Sequence, residues 1–221
     1  MPEADLSTPA TPAGADAAAD AAAPARKRPK PGERRVQILE ALAMMLEQPG
    51  AERITTAALA GKLEVSEAAL YRHFASKAQM FEGLIEFIEQ SVFTLVNQIQ
   101  EREGAANGQG DGARQAARIV TMLVQFAEKN PGMTRVMVGD ALVFENDRLQ
   151  QRMNQFFDKI ESTLKQCLRG ADDGSATPTV DAQVRASMLT AFVVGRLQRF
   201  ARSGFRRSPS EHLEASLALM L

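Results

Sequence analysis

Residues 54–74 read Ile54-Thr55-Thr56-Ala57-Ala58-Leu59-Ala60-Gly61-Lys62-Leu63-Glu64-Val65-Ser66-Glu67-Ala68-Ala69-Leu70-Tyr71-Arg72-His73-Phe74. Thr55 and Ser66 each stand just before a short run of helix formers, where a side-chain oxygen can accept from the orphan N–H groups of a first turn. The spacing predicts one helix from Thr56 to about Leu63 and another from Glu67 to about His73, joined by a tight turn at Glu64-Val65-Ser66. Leu59, Leu63, Val65, Leu70 and Phe74 can pack between these helices and against a preceding one. Ser66, Glu67, Ala68, Tyr71, Arg72 and His73 are left facing outward. A rigid apolar corner that offers one small helix to the major groove is helix-turn-helix logic. Small residues at the start of that helix allow close approach. The hydroxyls of Thr55, Thr56 and Ser66 can reach phosphates, Arg72 and Lys77 add charge, and Tyr71 and His73 can donate to the nucleic-acid backbone. His73 has a second reading of equal weight, as structural support for the corner.

Upstream, Val36, Leu39, Ala43 and Leu46 recur at helical spacing, with Ile38, Leu42 and Met45 widening the stripe, and Pro49-Gly50 ends the helix. Downstream, Ser76 and Gln79 form a capping box for a long helix, about Lys77 to Arg102. Its Phe81, Leu84, Ile85, Ile88, Val92, Leu95, Val96 and Ile99 share an arc of ~120°. A loop is expected from Glu101 to Gly112. A helix from about Ala113 to Asn130 follows, with Ala116, Ile119, Val120, Leu123, Phe126 and Ala127 as its buried face, broken at Asn130-Pro131-Gly132. A short helix near Met133 to Val138 precedes a long one from about Asn146 to Arg169, whose stripe is Leu149, Met153, Phe156, Ile160, Leu164 and Cys167. After a loop from Gly170 to Pro178, a helix from about Val180 to Arg202 is apolar around much of its circumference. Ser208, Pro209 and Glu211 are expected to start the last helix. Alternation at two is absent, so the expected fold is all-α.

The chain has 221 residues and a net charge of −1. That balance hides a division: residues 1–25 sum to −4, residues 26–77 to +4, and residues 78–221 to −1. A polyanion would bind first where the positive charge is concentrated. The Ala- and Pro-rich leader lacks large apolar groups and reads as a disordered tail. It runs into a basic stretch, Arg26, Lys27, Arg28, Lys30, Arg34 and Arg35, which is either a solvated linker or an arm on phosphates.

Several classes of function are disfavoured. No apolar run reaches the ~20 residues needed to span a bilayer, and no secretory signal is seen, so no membrane partner is expected. The single cysteine, Cys167, fits a reducing compartment and, on its apolar stripe, a small core residue. One Cys and two His cannot build a structural zinc site. His212 reads as surface, the methionines read as core filler, and residues 108–112 lack the strand and Lys-Ser or Lys-Thr of a phosphate cradle. No acid, base or nucleophile grouping suggests an enzyme, and no cofactor is implied.

Two further surfaces can be read from the residues. Phe87 lies ~120° from the apolar stripe of its helix, among Ser91, Thr94 and Gln98. Arg118, Met122, Gln125 and Lys129 form a ridge off the buried stripe of the next helix. Side by side, the two helices would bound a groove with an apolar anchor and basic flanks, suited to an acidic, partly apolar peptide. The helix Val180 to Arg202 is too apolar for a lone surface helix, and Ala191 and Gly195 permit close approach. With the terminal helix it can pair across a two-fold axis; the alternative is burial under the preceding long helix. A dimer would match a palindromic site, since one copy of the corner reads few bases.

The run Leu70-Tyr71-Arg72-His73-Phe74-Ala75-Ser76-Lys77 resembles the Leu-Tyr-x-His-Phe-x-x-Lys core of the TetR/AcrR-type helix-turn-helix family. Glu64 occupies a turn position where that family commonly holds Gly; a left-handed non-Gly residue there would cost ~1 kcal/mol or more. Five stretches are similar to the nucleoid occlusion members of the family: Arg53 to Thr56, Val65 to Phe74, Leu84 to Glu89, Asn130 to Arg135 and Ala141 to Gln150. The likeness runs from about Glu33 to the C-terminus. The Ala- and Pro-rich leader is not part of it, and residues 1–31 are expected as a tail ending in a basic arm, 32–77 as a DNA-binding domain, and 78–221 as a helical regulatory and dimerisation domain. The likeness implies a cytoplasmic, nucleoid-associated homodimer, with room for higher-order assembly on DNA, that binds a palindromic duplex and the division protein FtsZ and blocks FtsZ ring assembly over the chromosome. The implied FtsZ surface falls on Phe87, Met122, Lys129 and Asn130. The competing expectation is a TetR-type repressor with a small-molecule pocket in the C-terminal helices. Few polar residues fall at the predicted core positions there, which favours a filled core.

Overall fold

A computed structural model describes residues 32–48, 54–106, 112–169 and 177–221, all helix and connecting turns. The leader with Arg26 to Lys30, the Pro49-Gly50 helix end, Arg53, and most of the two glycine-containing loops lie outside the described residues.

Three short helices build the corner: α1 (Glu33–Leu46), α2 (Thr56–Lys62) and α3 (Glu67–Tyr71). Thr55 Oγ1 accepts from Ala58 N at 3.1 Å and Ser66 Oγ from Ala69 N at 3.2 Å, so both short helices start where the hydroxyls placed them. Each cap is worth ~1 kcal/mol, a large share for helices this short. Between them, Val65 N donates to Ala60 O and Glu64 N to Gly61 O, a Schellman closure with Glu64 left-handed at φ 54°. Leu59, Ala60, Leu70 and Phe74 are buried with Ile38, Ala41, Leu42 and Leu46, while Leu63 and Val65 are partly buried. Val36 departs from the stripe expected of it and is exposed, because α1 turns its 38, 41–43 and 46 positions inward.

The remaining helices are α4 (Lys77–Ala106), α5 (Gly112–Lys129), α6 (Pro131–Met137), α7 (Asp147–Arg169), α8 (Pro178–Arg202) and α9 (Leu213–Met220), with a 3₁₀ turn at Asp140–Leu142. α4 begins on the expected cap. Ser76 Oγ accepts from Gln79 N at 3.2 Å, and Gln79 Oε1 accepts in return from Ala75 N at 2.8 Å, one residue earlier than a regular capping box. The helix runs on through Ala106, so the expected loop starts later than Glu101. α4, α5, α7 and α8 pack into the main body. Ile119, Val120, Leu123, Phe156, Ile160, Leu164, Leu189, Val193 and Leu197 close its centre. Such side chains stabilise by roughly 1.5–3 kcal/mol each when fully buried. The only buried polar side chains among the described residues, Thr134 and Thr190, donate to carbonyls of Ala127 and Ala186.

Corner and body meet where α1 crosses α6. A Cβ on Gly132 would lie 1.9 Å from the Ala43 carbonyl oxygen, so only glycine lets the two helices approach this closely. On the far side of α4, Arg148 pairs with Glu82 at 2.9 Å and Arg152 with Glu89 at 2.7 Å.

The last helix starts later than the sequence suggests. Ser208 and Ser210 hydroxyls go to the Glu128 carboxylate of α5, and Arg196 donates to the carbonyls of Pro209 and Glu211. His212 is left-handed at φ 52°, so regular helix begins only at Leu213. The Ser-Pro pair that resembles a helix start is instead a strap tied to α5 and α8.

Candidate nucleic-acid and partner interfaces

The corner presents a continuous polar face. Thr55, Ser66, Glu67, Ala68, Tyr71, Arg72 and His73 are exposed and Thr56 is half-buried. Thr56 Oγ1 donates to Glu67 Oε2 at 2.6 Å, and the Tyr71 hydroxyl lies 3.5 Å from Thr56 Oγ1. The hydroxyls of Thr55 and Ser66 accept in their caps and keep their O–H for an outside acceptor. The His73 ring is exposed, whereas its carbonyl accepts from Arg35 Nη1 at 3.0 Å.

Two cations near this face are already engaged within the chain. Arg35 stacks 4.2 Å over the Phe74 ring while bonding the His73 carbonyl, so it clamps the end of α3 to α1. Lys77 pairs at 2.5 Å with Glu145, whose side chain is largely buried, which ties the start of α4 to the segment before α7. Arg72 is the cation that stands exposed on α3's own cap.

The second face lies on α4 and α5. Phe87 is 44% exposed, with Thr94 and Gln98 exposed and Ser91 half-buried beside it. Leu95, expected in the apolar stripe, is 37% exposed instead, although it lies inside the arc between the buried Leu84 and Ile88. On α5, Arg118, Gln125 and Lys129 are exposed and Met122 half-buried. Asn130 Nδ2 donates to Phe126 O at 2.7 Å and so closes the end of α5. Arg118, Met122 and Gln125 line a groove toward α9, opposite Leu213, Leu217 and Leu221. Phe87, Lys129 and Asn130 do not line that groove.

The third face is on α8. Its Ala182, Ala186, Leu189, Val193 and Leu197 are buried in the body, while Val180, Val184, Met188 and Ala191 are exposed on the other side. Nothing lies within 4 Å of a Cβ built on Gly195. One side of this helix is therefore buried under the body, and the other is left exposed. Val180, Val184 and Met188 recur at a spacing of four, which is one face of a helix.

Cys167 is buried, and burial pushes its thiol up from the usual value. Among the described residues no group of three or more His, Cys, Asp or Glu could hold a metal, and no helix is long and apolar enough to cross a membrane.

Comparisons with known proteins bear on these faces. Residues 38–84 match the family model of bacterial regulatory proteins of the tetR family, and residues 113–221 match a tetracyclin repressor-like C-terminal domain of SlmA-like type. The nucleoid occlusion factor SlmA of Aliivibrio fischeri is 49% identical over 195 residues, covering 87% of this chain and 96% of that protein. SlmA of Idiomarina loihiensis is 48% identical over 188 residues, covering 85% and 93%. Among solved structures, FadR of Bacillus subtilis in complex with stearoyl-CoA aligns with a TM-score of 0.66 at 14% identity, covering 84% of this chain and 96% of that one. A TetR regulator of Legionella pneumophila aligns with a TM-score of 0.64 at 15% identity, covering 86% and 97%. The structural likeness extends to the fold and the sequence likeness to the family: the chain belongs to the TetR-type bacterial regulators and, among them, to the SlmA nucleoid occlusion factors.

Proposed function

We propose that this protein is a homodimer that binds a palindromic duplex through α3 and, from the same body, engages FtsZ through the face around Phe87, Met122, Lys129 and Asn130, so that FtsZ ring assembly is inhibited over the chromosome. The observation that carries the reading is the separation of the two faces. The corner exposes hydroxyls and Arg72 for a polyanion, while Phe87 stands as an exposed aromatic two to three turns into α4. An aromatic anchor with a basic flank at Lys129 suits an acidic, partly apolar segment. The exposed side of α8 supplies the two-fold contact that a palindrome needs. A nucleoid-associated location follows from the duplex contact. The apolar closure of α5, α7 and α8 speaks against an effector pocket in the core.

Exchange of the two faces tests it. Phe87→Ala keeps duplex affinity and loses FtsZ binding by about 30-fold, the scale of a hot-spot truncation. Arg72→Ala keeps FtsZ binding in the absence of DNA, weakens the duplex complex and lowers its salt slope by about 1 for each half-site phosphate it no longer reaches. Both are read by fluorescence anisotropy at several salt concentrations. Unchanged FtsZ binding by the Phe87→Ala chain would remove the partner assignment.

A further inference from the structure

The outer face of the corner carries an acid where a nucleic-acid surface would favour none. Glu67 is the first residue of α3 and is exposed. A carboxylate only accepts hydrogen bonds, and phosphate oxygens are acceptors too, so no phosphate contact rewards it. In the major groove the donors are the exocyclic amines of cytosine and adenine. Adenine sets its N7 acceptor beside its amine, whereas cytosine does not. The first residues of a recognition helix are those that reach base edges.

Glu67 is also held in place. The Tyr71 hydroxyl donates toward Thr56 Oγ1 at 3.5 Å, and Thr56 Oγ1 donates to Glu67 Oε2 at 2.6 Å. This chain of bonds crosses from α3 to α2 and back, fixing one carboxylate oxygen on the outer face. An acid in the first turn suits a helix N-terminus by itself, yet that effect needs no hydroxyl brought from a different helix.

We propose, on the reading that α3 enters the major groove, that Glu67 reads a cytosine in each half-site by accepting from its N4 amine, and that Thr56 is its positioning residue. The contact makes Glu67 a determinant of which duplex is chosen, at a cost in sequence-independent attraction.

The test selects bound duplexes from a random library with the full chain and with Glu67→Ala, Glu67→Gln and Thr56→Val, then measures affinities for the selected duplex and its single-pair replacements. The wild type is expected to require cytosine at one position per half-site, replacement weakening binding about ten-fold or more. Glu67→Ala loses that preference while its binding to random duplex at low salt holds or rises, because a repelling charge is gone. That split separates base reading from a merely structural role. Glu67→Gln moves the preference toward adenine, and Thr56→Val blunts the preference for cytosine. The inference is overturned if Glu67→Ala keeps the wild-type preference at every position. A wild-type chain that enriches no duplex overturns the DNA reading itself, a result visible without any variant.

Discussion

The outer side of α3 and the outer side of α8 both expose side chains that a solitary folded chain has no use for, and they differ in how those side chains are held. On α3 they are polar and fixed by neighbours: Ser66 caps, Thr56 bonds Glu67, and Arg35 grips the His73 carbonyl. On α8, Val180, Val184 and Met188 are apolar and lie open. Polar groups lose little when they return to water, so a face of that kind suits a partner that comes and goes with salt and sequence. Apolar groups favour lasting burial, so the α8 side suits a permanent copy. The face around Phe87 is intermediate, a single aromatic among polar residues, which fits a conditional partner.

The largest effect is expected where the α3 corner is joined to the body that carries α8. Gly132→Val would drive side-chain atoms into the Ala43 carbonyl, which already lies 1.9 Å from a built Cβ. A loss of about 3 kcal/mol is expected, or roughly 10 °C in the thermal midpoint by calorimetry. If the melt is unchanged, the α1–α6 junction is not the joint described. Next in size is Met188→Glu on α8. It should turn dimers into monomers in sedimentation velocity and weaken binding to a palindrome by about 100-fold, leaving single half-site binding as it was. A Met188→Glu chain that stays dimeric would move the two-fold contact elsewhere. Thr55→Ala removes the α2 cap and should cost about 1 kcal/mol in denaturant unfolding. Smallest is Glu64→Gly at φ 54°, where relief of the left-handed backbone should stabilise the chain by up to about 1 kcal/mol, with duplex affinity unchanged. A destabilised Glu64→Gly chain would mean that the Glu64 side chain contributes more than its backbone strain costs.

The corner was legible in the sequence because its signals are local. Thr55, Ser66 and Ser76 are each within three residues of the groups they cap, and Leu59, Leu70 and Phe74 lie within one supersecondary unit. Periodicity also found the buried stripe of α7 from Leu149 to Cys167. It failed at Val36, where apolar residues are spread so widely around α1 that counting alone cannot choose the inward side, and at Leu95, which lies in a correctly placed stripe that is not covered there. Contacts distant in sequence were invisible. Nothing near Gly132 announces Ala43, nothing near Ser208 announces Glu128, and Lys77 gave no sign of its ion pair with Glu145. Arg35 looked like the end of a basic arm and is instead a stacking clamp, because Phe74 arrives beneath it only on folding.

Sedimentation of FtsZ polymers with this protein, with the duplex it selects and with a scrambled duplex, decides whether one body carries both faces. A body that carries both faces predicts that the pelleted FtsZ fraction falls in a dose-dependent way and falls further with the selected duplex. An FtsZ pellet unchanged at every protein concentration, whichever duplex is present, would contradict it.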